Sequence, residues 1–88
     1  MGMGKLETFK RNRCIAALLK LGFTRKHTRR GGHDKYVPPA HYLESRINNQ
    51  PPFVMVPRSR VLHCQEEIVK ELHNLGGVDL VKKFEEYL

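Results

Sequence analysis

LGFTRKHTRRGGHDKYV, residues 21–37, reads as a β-hairpin. Phe23 to Arg29 forms the first strand, with Thr24 and Thr28 adding β propensity. Arg30-Gly31-Gly32 is a turn signal. His33 to Val37 returns as the second strand, with His33, Lys35 and Val37 on one face and Tyr36 on the other, because successive side chains alternate. Pro38 and Pro39 end it, since proline has no amide hydrogen to give the ladder.

Upstream of the hairpin, residues from about Thr8 to Leu21 carry a helical period. Ile15, Leu18, Leu19 and Gly22 fall at the i, i+3, i+4, i+7 spacing of a buried stripe, while Arg11, Arg13 and Lys20 lie off it. Gly22 is a natural helix stop, able to take the left-handed conformation. Downstream, residues 38–52 are polar and punctuated by Pro51 and Pro52, which reads as a long loop, although AHYLESRI within it has the makings of a helical turn. Phe53 to Val56 is a compact apolar strand stopped by Pro57. Cys64 to Leu75 forms a second main helix with a stripe of Ile68, Val69, Leu72 and Leu75, ended by Gly76-Gly77. A last short helix over 78–88 carries Leu80, Phe84, Tyr87 and Leu88 on one side. The order is α-β-β-β-α plus a C-terminal helix. Its compact answer is a two-layer α+β domain, a three-stranded antiparallel sheet with both main helices on one face. The other face is then exposed and basic.

Eighty-eight residues make one small domain, spanning 1–88, with residues 1–5 read as a disordered start. Such a chain has little room for a deep, water-free site, so function belongs on a surface or in a shallow groove. No apolar run approaches a membrane span, and the N-terminal residues lack the apolar core of a signal peptide, so the protein is expected in the cytoplasm. Charge is uneven. Residues 1–36 hold ten Lys and Arg against Glu7 and Asp34, or +8, whereas residues 37–88 hold six against seven acids, or −1. One end of the molecule therefore attracts polyanions, and phosphate backbones answer that description through counterion release. A merely solubilising surface is the plainer alternative.

The hairpin concentrates the candidate chemistry. Arg25, Lys26, Arg29, Arg30 and Lys35 are candidate RNA contacts, and the backbone amides at Gly31 and Gly32 can approach a phosphate closely. His33 follows the glycine turn directly, where an imidazole can exchange a proton with a phosphodiester and the arginines can steady charge on phosphorus. A hairpin histidine without a role is the alternative. Elsewhere the residue types read more simply. Cys14 and Cys64 are a reduced, core-facing pair in a cytoplasmic chain. His63-Cys64 with Cys14 or His73 lacks the paired spacing of a zinc site, so no metal and no cofactor is expected. His27 reads as a surface or RNA-facing residue. Glu66, Glu67, Glu71, Glu85 and Glu86 read as solvated helix faces. Phe53 is assigned to core packing, with Tyr36 open between core and base stacking. Ser45 and Ser59 have no base beside them in the sequence, which removes a serine nucleophile.

LLKLGFTRKHTRRGGHDKY, then PFVMVPRSR, then EEIVKELHNLGG, together about residues 14–77, resemble the HicA family of toxin ribonucleases. The resemblance implies a fold similar to the double-stranded RNA-binding domain and metal-independent cleavage of mRNA. It also implies silencing by a HicB-like antitoxin protein. By position, Gly31 matches the family glycine and His33 the catalytic histidine. Gly32 stands where serine is usual, Asp34 replaces a second histidine and adds a negative charge beside the site, and Ser59 stands where histidine often follows VPR. The 38–52 loop is longer than the family's link. These departures suit a divergent nuclease, and equally a non-catalytic double-stranded RNA-binding module. An adaptor that binds only protein is the third possibility.

Overall fold

The computed structural model describes residues 9–27, 31–59 and 64–88. Helix α1 covers Arg11–Lys20. Strands β1 (Thr24–Lys26), β2 (His33–Val37) and β3 (Val54–Pro57) follow, with a 3-10 turn at Ala40–Tyr42 between the last two. Helix α2 runs Gln65–Tyr87 and is interrupted at Gly77, whose φ of 68° and ψ of −162° are not helical. The protein is α+β, with a three-stranded antiparallel sheet in the order β1-β2-β3. The end of the expected first strand, at Thr28 and Arg29, and residues 1–5 lie outside the described residues.

Helix α1 stops where glycine allows. The Gly22 amide donates to the Leu19 carbonyl and the Phe23 amide to that of Leu18, with Gly22 at φ +93°. This double capping satisfies carbonyls that the helix leaves orphaned. The helix begins at Arg11 rather than Thr8, from an extended Lys10 with no side-chain cap. Its buried face is also rotated from the expected stripe. Cys14, Ala17 and Leu18 are buried, Ile15 and Leu21 pack at the margin, and Leu19 is 51% exposed. Leu18 belongs to either stripe. The face that includes the small Cys14 and Ala17 lets α1 approach its neighbours closely, and that face is the one buried.

Register decides the two faces of the sheet. Arg25 pairs with Tyr36, and Lys26 with Lys35, across β1–β2; Asp34 pairs with Val56, and Tyr36 with Val54, across β2–β3. Tyr36, Val54 and Val56 are fully buried under the helices beside Ile68, Leu72 and Leu75 of α2. Tyr36 is therefore a core residue. Burial pushes its phenol pKa up, with Arg25 pulling the other way, and its hydroxyl lacks a well-formed hydrogen bond among the described residues. Beyond Gly77, α2 continues the core through Leu80 and Phe84, and the Phe84 ring meets that of Phe9 edge-on at 5.3 Å.

The 38–52 segment is tied down rather than loose. The Ser45 hydroxyl donates to the Leu75 carbonyl at 2.6 Å, and the Ile47 amide to the Asn74 carbonyl at 2.9 Å. The side chains of Asn48, Asn74, Gln50 and Glu71 form a chain of hydrogen bonds between loop and helix. Glu71 is accordingly half-buried, not part of a solvated face. Burial raises its carboxyl pKa, opposed by the bond from Gln50. Glu85 departs from the expectation too, with one carboxylate oxygen buried and unpartnered among the described residues. No helix of the described residues is long and apolar enough to cross a membrane.

Candidate functional site

The open face of the sheet carries Thr24 and Lys26 from β1, His33, Lys35 and Val37 from β2, and Met55 and Pro57 from β3. It is the face expected to be basic. His33, the first residue of β2, is exposed and lies one residue beyond the Gly31-Gly32 turn. Gly31 takes φ +80°, a conformation open to glycine at little cost. A Cβ built on either Gly31 or Gly32 meets nothing within 4 Å among the described residues. Lys35 holds its ammonium 4.6 Å from the centre of the Phe53 ring. Phe53, expected in the core, is only half-buried and lies alongside this face. It stands one residue before β3, where the strand's alternation turns it away from the helices. Of the expected contacts, Lys26, Lys35, His33 and the two glycines are brought together; Arg25 points to the opposite, helix-covered side; Arg29 and Arg30 lie outside the described residues.

That opposite side holds an ionic cluster. Asp34 is 2% exposed, and its Oδ1 accepts from Arg58 Nε at 2.9 Å and from His27 Nδ1 at 3.2 Å. Burial alone pushes the Asp34 carboxyl pKa up. The hydrogen bonds and positive charges of Arg58 and His27 outweigh it and hold the group below the usual aspartate range. Arg11 reaches over from α1 to donate to the Pro57 carbonyl at 2.6 Å, and the Arg58 amide donates to the Gly32 carbonyl. Asp34 therefore does not sit beside His33 as a free negative charge. Neighbours on one strand face opposite ways, and Asp34 is already paired. His27 is correspondingly a partner of Asp34, not a residue that faces only solvent or RNA.

The His27–Asp34 contact is the feature the primary sequence conceals. The register pairs positions whose numbers sum to 61, which brings His27 opposite Asp34. A turn centred one position later would have paired His27 with Tyr36. Both cysteines are reduced, with Cys14 buried; burial, helped by Cys64 and opposed by Arg11, pushes its thiol up to about 12. Among the described residues, no three His, Cys, Asp or Glu side chains gather as a group able to hold a metal ion. His63 lies outside them.

No protein-family model, curated protein or solved structure matches the chain.

Proposed function

We propose that this protein is a HicA-like endoribonuclease, the toxin of a type II toxin–antitoxin pair, cutting mRNA without a metal ion on a fold of the double-stranded RNA-binding type. The observation that carries the reading is the exposed His33 beside the Gly31-Gly32 turn, on the same sheet face as Lys26 and Lys35. Lysines draw in the phosphates, and the glycine turn leaves room for a backbone to approach. An imidazole at that point can act as a general acid, giving its proton to the 5′-oxygen that leaves when a ribose 2′-hydroxyl attacks its own phosphate. A well-positioned general acid or base of this kind contributes roughly 10²–10⁴ in rate. Among the described residues, nothing at Gly32 would obstruct the serine usual in the family. A HicB-like antitoxin would silence the enzyme by covering His33 and the open sheet face, burying roughly 1,200–2,000 Å².

The deciding assay is purified protein with single-stranded RNA and a chelator. His33→Ala should lose cleavage while keeping fold and RNA affinity, because the substituted side chain is exposed and the lysines remain. Equal rates for the two proteins would remove His33 from the chemistry. A non-catalytic RNA-binding module is the second reading. It is favoured by the capture of Asp34 in the ionic cluster, which leaves the position of the family's second histidine without a group that faces His33. RNA binding with no cutting by the wild type would put that reading first.

A further inference from the structure

We propose that His27 is a catalytic proton-transfer residue, with the buried Asp34 as its positioning partner. The inference rests on the ribonuclease reading above and adds a second residue to it, on the other face of the hairpin. His27 is 66% exposed through its side chain, whereas Asp34 is almost wholly enclosed. One end of the imidazole is therefore anchored in the protein and the other projects outward. An ionised carboxylate can only accept hydrogen bonds. Asp34 is held ionised by Arg58 as well as by His27, so Nδ1 of His27 must be the donor. In the neutral ring this leaves the lone pair on Nε2, directed away from the anchor. Such an arrangement, in which an enclosed carboxylate fixes the tautomer and steadies the imidazolium once formed, is how a general-base histidine is prepared.

The surroundings favour an anionic substrate. Arg58 from the end of β3, Arg25 from β1 and Arg11 from the start of α1 all lie around the Asp34–Tyr36 side of the hairpin. A buried ionised aspartate is also a costly thing to keep in a small domain. A purely structural hairpin clasp would be served as well by an apolar pair, and would have no need of an exposed imidazole.

In the reaction, Nε2 of His27 takes the proton of the ribose 2′-hydroxyl. The 2′-oxygen forms its bond to phosphorus, and the bond from phosphorus to the 5′-oxygen breaks. The departing 5′-oxygen takes a proton from His33, the general acid of the reading above, which regains one from solvent. The products are a 2′,3′-cyclic phosphate and a 5′-hydroxyl, and the imidazolium returns its proton to solvent.

The test uses the full chain, a single-stranded RNA oligonucleotide and chelator. His27→Gln should lower kcat roughly 10²–10⁴-fold with KM little changed, since the lysines that draw in the phosphates are untouched. Nitrogen NMR of His27 in the wild type, without RNA, should report the Nδ1–H tautomer, and Asp34→Asn should lose that preference. If Asp34→Asn does not fold, His27→Gln and the wild-type tautomer still decide. Cleavage by the wild type together with an unimpaired His27→Gln would overturn this inference and leave the ribonuclease assignment standing. An Nε2–H tautomer would overturn it as well. A wild type that cuts no RNA would remove both.

Discussion

Asp34 is buried, charged and bound through one oxygen to two nitrogen donors, which makes its protonation a matter of stability. Its folded pKa lies below the unfolded value of about 3.9. A group depressed in this way contributes stability that is fully present above the unfolded pKa and lost as pH falls through the folded one. The Asp34 contribution should therefore be constant from neutral pH down to about pH 5 and vanish in the acid limb below about pH 4. Chemical denaturation across that range should show Asp34→Asn less stable than wild type at pH 7, with the difference shrinking at pH 3. A difference independent of pH would show that the carboxylate charge is not what matters. At Cys14 the expectation is chemical silence. A thiol pushed up to about 12 has almost no thiolate at neutral pH, and this one is buried. Thiol-labelling reagents should modify Cys64, at the edge of the core, well before Cys14. Simultaneous labelling in the native protein would contradict the burial of α1 against the core.

At the scale of elements, the two glycines of α2 test different physics. Gly77 sits at a positive φ with extended ψ, a region open almost only to glycine, and a Cβ there would touch none of the described residues. Gly77→Ala should therefore destabilise by backbone strain, about 1–3 kcal/mol. A Cβ on Gly76 would come within 2.6 Å of the Leu80 side chain and 2.9 Å of the Tyr42 ring. Gly76→Ala should also destabilise, by about 1–3 kcal/mol of overpacking. Truncating Tyr42 in the same chain should relieve part of that loss but none of the loss at Gly77, as measured by denaturant midpoints. This break was legible in the sequence because Gly76-Gly77 interrupts an otherwise continuous apolar period. Strand β2 was legible from its turn and its alternation. The buried face of α1 was not, since Leu18 fits two overlapping stripes and only packing chooses between them. Nor were the loop attachments. Ser45, Asn48 and Gln50 find their partners on α2 through single polar contacts, and single contacts leave no period to read. The candidate site divides along the same line. His33 announced itself by following two glycines, whereas the pairing of His27 with Asp34 depends on a register that a glycine-rich turn leaves open.

At the scale of the whole molecule, the question is whether the +8 carried by residues 1–36 is a binding surface or only a solubilising charge. Both would attract RNA at low salt, so affinity alone does not separate them. Location does. Lys26 and Lys35 are paired across β1–β2 on the open sheet face, while Lys82 and Lys83 lie exposed on the far arm of α2. Replacing either pair with alanine removes the same charge. If the open face binds phosphates, Lys26→Ala with Lys35→Ala should weaken RNA binding for all sequences alike. It should also flatten the plot of log affinity against log salt, by about 0.7 for each phosphate of a single strand that the protein no longer neutralises, or about 1.4 for the pair. Lys82→Ala with Lys83→Ala should leave that slope where it is, because a distant charge adds to the general field without releasing a counterion from a bound phosphate. Equal flattening by both pairs would mean that RNA responds to net charge alone. The open sheet face would then lose its claim as the interface, and with it the reason for seating a phosphodiester beside His33.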